Sequence, residues 1–103
     1  MPNKNYLKEI TQQIVKEVAP DKIILFGSYA RGKAKKESDI DIALISTVFT
    51  GDRFEDRRKL IPLRRKIDNR IEPMPFRPED FQKGGILIDV IKKTGKAINI
   101  WKY

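Results

Sequence analysis

Two carboxylates one residue apart, Asp39 and Asp41 in the string SDIDIALI, are the side chains best equipped for chemistry. The alternation of acidic and apolar residues predicts a β-strand from about Asp39 to Ile45. On a strand both acids face one way, while Ile40, Ile42 and Leu44 face the other and anchor in a core. Two ionised carboxylates about 4 Å apart repel by about 4 kcal/mol at an effective dielectric near 20. Either one of them stays protonated or cations neutralise the pair. The chain contains no histidine and no cysteine, which excludes imidazole and thiolate ligation. Ligation by oxygen alone suits Mg²⁺, Ca²⁺ or Mn²⁺, and Mg²⁺ commonly combines one or two carboxylates with substrate phosphates.

A place for such phosphates lies just upstream. The apolar run KIILF predicts a strand over residues 22–26 that ends at Gly27-Ser28. Glycine lets the backbone approach a ligand closely, and Ser28 offers a hydroxyl and an N–H at the start of a helical turn. Arg31 falls about one turn later, and Gly32 releases the chain. A Gly-Ser turn alone is common; the whole string G-S-x-x-R-G-x(5)-S-D-x-D is far more specific.

That string resembles the signature of the DNA polymerase β-like nucleotidyltransferase superfamily, and more closely its small stand-alone branch, the minimal nucleotidyltransferase (MNT) domains. The resemblance implies an α/β (α+β) fold, a small mixed β-sheet with helices packed on one face, as a single domain over residues 1–103. It assigns nucleotide binding to Gly27, Ser28, Arg31 and Ser38, and catalytic metal binding to Asp39 and Asp41. A third carboxylate comes from a later strand, and Glu72 in NRIEPMPF is the candidate, where the family more often has aspartate. Glu72 would complete a metal shell or accept the hydroxyl proton. The implied reaction transfers a nucleoside monophosphate, AMP from ATP, to a hydroxyl with release of pyrophosphate, assisted by two Mg²⁺ ions or by Mn²⁺. MNT proteins are typically antitoxins paired with HEPN-type toxins, and active members adenylylate a toxin tyrosine. Two alternatives stay open: nucleotidylation of a small molecule such as an aminoglycoside, and a non-catalytic module that masks its partner.

Other elements must hold these groups in place. Residues from about Asn5 to Ala19 carry Tyr6, Ile10, Ile14 and Val18 four apart, which predicts an amphipathic helix that stops at Pro20-Asp21. Lys33, Lys35 and Lys36 lie in a polar loop next to the acids, where they either help hold a triphosphate or are simply solvated. Ser46 to Asp52 reads as a loop ending in a helix cap. Arg53 to about Asp68 reads as a helix with Leu60, Ile61, Leu63 and Ile67 inward, kinked or split at Pro62. Two prolines make the Glu72 strand an edge strand. A short helix from Pro78, a break at Gly84-Gly85, a helix over Ile86–Lys93 closed by Gly95, and a short apolar piece from Ala97 to Trp101 complete the chain.

The composition fits this picture. A chain of 103 residues, 40% of it hydrophobic, supports one modest core. No apolar run approaches the roughly 20 residues that cross a bilayer, and MPNKNYLKEI is not a signal peptide, so a soluble cytoplasmic protein is expected. The formal charge of +8 favours anionic partners such as nucleotides or an acidic protein. Nucleic acid is compatible with that charge, but no aromatic-basic motif supports it.

Overall fold

The computed structural model describes residues 4–35 and 37–98. Helix α1 (Lys4–Val18) leads into strand β1 (Lys22–Phe26), a single helical turn α2 (Gly27–Ala30), strand β2 (Ile40–Ile45), the long helix α3 (Arg53–Lys66) and strand β3 (Ile71–Phe76). Two short helices, α4 (Pro78–Lys83) and α5 (Ile86–Thr94), and strand β4 (Lys96–Ile98) follow. The four strands form one mixed sheet in the order β3-β2-β1-β4. β1 lies antiparallel to β2 and β4, and β2 lies parallel to β3. The expected final apolar piece is seen as far as Ile98; its continuation to Trp101 lies outside the described residues, as does Lys36.

The core forms where the sequence periods coincide. Ile10, Ile14 and Val18 of α1 and Leu60 and Leu63 of α3 pack on Ile23, Leu25, Ile40, Ile42, Leu44 and Ile71 of the sheet. The opposite face carries a smaller cluster in which Ile24, Phe26, Ala43 and Ile45 meet Phe81 of α4 and Ile91 of α5. The two long helices therefore share one face, and the two short ones cover part of the other. The acid-bearing face of β2 is open only at its beginning, because Ala43 and Ile45 further along are buried. Among the described residues, no helix is long and apolar enough to cross a membrane.

Three local expectations need correction. Asp39 is not in the strand, which begins at Ile40. Helix α3 runs unbroken through Pro62. The proline removes one hydrogen bond to the carbonyl four residues back, and that residue, Arg58, is on an exposed part of the helix where water can serve. Ile61 points outward, 46% exposed, since α3 turns Leu60 and Leu63 to the sheet and leaves the residue between them at its margin. The helix begins as expected, with the Asp52 carboxylate accepting from the Phe54 and Glu55 amides.

β3 lies at the sheet edge, as its prolines require. The Ile40 amide donates to the Arg70 carbonyl and the Ser46 amide to the Phe76 carbonyl. In an evenly spaced parallel ladder these two bonds turn the even-numbered backbone groups of β3 toward β2. The backbones of Ile71, Pro73 and Pro75 therefore face away from the sheet, and at two of the three positions there is no N–H.

Candidate active site

The site starts where β1 ends. Phe26 is extended, and Gly27 then takes a left-handed φ of 72°. A Cβ on Gly27 would lie 2.1 Å from Oδ2 of Asp41, so only glycine brings the backbone this close to the carboxylate. The turn closes compactly: the Arg31 amide donates to the Gly27 carbonyl (3.2 Å) and the Lys33 amide to the Ser28 carbonyl (2.9 Å). Ser28 is half-buried at the start of α2, and Arg31 is exposed at its end.

Strand register places the acids. Asp41 pairs with Phe26 on one side and with Glu72 on the other, so these three side chains form a row across one face. Glu72 reaches this position only through the long-range parallel pairing of β2 with β3. Asp41 is half-buried beside Phe26, and Asp39 lies exposed just ahead of the strand. Burial, followed by the charges of Asp39 and Glu72, pushes the Asp41 carboxyl above its ordinary range, while the positive charge of Arg31 opposes the shift. The Ser38 hydroxyl accepts from the Lys35 amide at 2.8 Å, which ties the lysine loop back onto the residue before Asp39.

Asp41 is therefore a carboxylate whose charge is disfavoured where a cation would restore it, and its neighbours are hard oxygen donors. Among the described residues, no group of three or more acids is drawn tightly enough to cage an ion unaided. Glu72 is instead engaged by Arg57 of α3, 3.4 Å away. This donor set fits Mg²⁺ that takes one or two carboxylates and completes its shell with substrate phosphates and water.

Two features near the site escape local sequence reading. One is the Arg57–Glu72 pair, whose partners come from different elements. The other is a polar network joining α1, α2 and the start of β3. Tyr6 donates to Oδ2 of Asp68, and Arg70 bonds Asp68 through Nη2 at 2.8 Å and the Tyr29 hydroxyl through Nη1 at 3.1 Å. The bonds from Arg70 hold the Asp68 carboxyl well below the usual carboxylate range, and Asp68 raises the Arg70 guanidinium in return. Burial, then the bond to Asp68, pushes the Tyr6 hydroxyl up. An arginine two residues from an aspartate is ordinary in sequence; only the fold adds the tyrosines.

A cavity of about 790 Å³ is lined by Ile24, Phe81, Ile91 and Lys92 on the far part of the sheet, and none of the candidate acids borders it. Size here does not follow chemistry, and the acid row is the better-founded site.

Residues 4–95 match the profile of a family described as nucleotidyltransferase domain. No curated protein matches the sequence significantly. Among solved structures, a toxin–antitoxin complex with AMP-PNP aligns over 92% of this chain and 71% of its own, with a TM-score of 0.62 at 23% identity. A second, an MntA–HpeT toxin–antitoxin mutant carrying two aspartate-to-glutamate changes, aligns over 92% and 70%, with a TM-score of 0.58 at 20% identity. A candidate nucleotidyltransferase from Sulfolobus solfataricus aligns over 90% and 76%, with a TM-score of 0.63 at 19% identity. At such identities these three likenesses speak for the fold.

Proposed function

This chain belongs to the nucleotidyltransferase domain family, and from that we propose that it transfers AMP from ATP to a hydroxyl of a partner protein. The observation that carries the reading is the strand register that sets Glu72 beside Asp41, with Asp39 two positions earlier and the Gly27 backbone against the same carboxylate. Gly27 and Ser28 grip the β- and γ-phosphates, with Arg31 and Ser38 at the margin of the same turn. Asp39 and Asp41 hold Mg²⁺, which when bound supplies Lewis-acid stabilisation of charge on the phosphates. Glu72 accepts the proton of the acceptor hydroxyl or completes the metal shell. The hydroxyl oxygen bonds to the α-phosphorus, the bond from that phosphorus to the bridging oxygen breaks, and pyrophosphate leaves with the electron pair.

The acceptor is a tyrosine of a HEPN-type toxin, which makes this chain an antitoxin. The GSYARG…SDID string supports this, together with structural neighbours that are toxin–antitoxin complexes, one of them holding AMP-PNP. A basic chain of formal charge +8 also speeds encounter with an acidic partner surface. The test is co-expression with the neighbouring gene product and intact-mass measurement of that partner. The expected result is a mass increase of one adenylyl unit per AMP, located to a tyrosine by fragmentation and absent with Asp39→Asn. An unmodified partner that is nonetheless neutralised would instead establish a masking module.

A further inference from the structure

Tyr29 sits in the middle of the Gly27–Gly32 stretch and yet is only 4% exposed, so it serves the turn from beneath. Its hydroxyl is held by Arg70, a residue 41 positions away in sequence. Arg70 is itself fixed on Asp68, through Nε at 3.2 Å, Nη2 at 2.8 Å and its backbone amide at 2.8 Å. Tyr6 of α1 bonds the same carboxylate. The Arg70 carbonyl accepts from the Ile40 amide at 2.7 Å, and Ile40 stands between Asp39 and Asp41. Two residues after Arg70 comes Glu72. A single residue thus touches the phosphate-facing turn, the aspartate strand and the start of the glutamate strand.

We propose that Arg70 is a positioning residue that sets the Gly27–Ser28 backbone at a fixed distance from Asp39 and Asp41 by clamping Tyr29. The proposal rests on the nucleotidyltransfer reading above, since only there does this distance matter for turnover. Arginine suits the task because its planar fork can serve Asp68 along one edge and Tyr29 at another nitrogen, which the point charge of lysine cannot. The charge of Arg70 is answered by Asp68, so its contribution to a triphosphate is geometric. The Gly27 turn needs such support because it is short: the described hydrogen bonds within it are few, and its glycine is free to adopt other backbone states.

The experiment compares wild type with Tyr29→Phe, Arg70→Gln and the double variant, with Lys66→Ala, which breaks the exposed Lys66–Glu17 pair, as a control. Amide hydrogen exchange is read at Arg31 and Lys33, whose N–H groups close the turn. Loss of one hydrogen bond to a charged group should speed exchange there about tenfold. The double variant should be no faster than Arg70→Gln, because the Arg70–Tyr29 contact that Tyr29→Phe removes is already lost with the guanidinium. Amides within α3 should stay within about twofold of wild type. In the transfer assay, Tyr29→Phe should raise the KM for ATP about tenfold with kcat nearly unchanged, the pattern of lost uniform binding. Unchanged exchange at Arg31 and Lys33, or a rise matched by α3, overturns the clamp, as does an unaltered KM in an active enzyme. If wild type transfers no nucleotide, the exchange data still decide the clamp while the functional reading falls.

Discussion

Replacing Asp41 by asparagine should make the metal-free protein more stable while removing its activity. Burial and the charge of Asp39 already disfavour the Asp41 carboxylate. Glu72 adds to this from the adjacent parallel strand, where facing residues carry their Cβ atoms about 5 Å apart. Two unit charges at about that spacing repel by about 3 kcal/mol at an effective dielectric of about 20, an upper bound for the longer Glu72 side chain turned toward Arg57. Both groups are half-exposed, and Arg31 and Arg57 screen them, which brings the expected penalty to about 1 kcal/mol. In a domain of this size that corresponds to a rise in Tm of about 5 °C. The sign with pH follows from linkage: the folded pKa of Asp41 lies above the unfolded one, so ionisation opposes folding. The penalty is absent below the unfolded value, about pH 4, and complete above the folded value. The Tm gap between Asp41→Asn and wild type should therefore be close to zero in acid and widen toward neutral pH. Circular-dichroism melts in EDTA buffers across that range measure it directly. Saturating Mg²⁺ and ATP, at about a hundredfold over Kd, should stabilise wild type by about 2.7 kcal/mol and the variant hardly at all, which reverses the order. A variant that melts at or below wild type in EDTA at pH 7 would refute the reasoning.

The other expected outcomes can be stated briefly. Asp39→Asn should leave the fold intact and slow transfer at least about a hundredfold, because metal-assisted charge stabilisation contributes several kcal/mol; a near-normal rate in a single-turnover assay would make Asp39 structural. Gly27→Ala should fold but lose nucleotide binding by calorimetry, since its Cβ would lie 2.1 Å from Oδ2 of Asp41 at a φ of 72°. Asp68→Asn should cost about 2 kcal/mol in urea melts at neutral pH. Its folded pKa is depressed, so the stabilisation is present above the unfolded pKa and fades as pH falls toward the folded one, narrowing the gap from wild type in acid. ATP should bind more tightly with Mg²⁺ than with EDTA in a calorimetric titration, and equal affinities would remove the metal from the site.

What could be read along the chain was whatever a short window determines. Four-residue spacing of Ile10, Ile14 and Val18 and the alternation after Asp39 gave helix and strand, and Asp52 announced a helix start. Pro73 and Pro75 located the edge, because a missing N–H is a local property with a consequence for the whole sheet. Ile61 faces outward against its spacing because a helix face is chosen by what packs against it. The strand begins at Ile40 and not at Asp39 because its partners run out there: β3 starts at Ile71, opposite Ile40, and β1 ends at Phe26, opposite Asp41. Which strands pair is not a property of a short window. Glu72 could be nominated from its type, but its place opposite Asp41 depends on which strands pair and in which register. The Tyr6–Asp68–Arg70–Tyr29 network lay further out of reach, since it links residues up to 62 positions apart whose individual types are unremarkable.

The outward prolines of β3 also limit how another polypeptide can meet this protein. An incoming strand laid along that edge would find carbonyl acceptors at Ile71, Pro73 and Pro75 but donors missing at two of the three. Strand addition is therefore closed on this side, which protects a positively charged chain with an open sheet margin from stacking onto copies of itself. A contact made there rests on side chains and on single bonds to the outward carbonyls, which form and break without unzipping a ladder. The acid row thus lies next to a sheet margin that does not extend by adding strands.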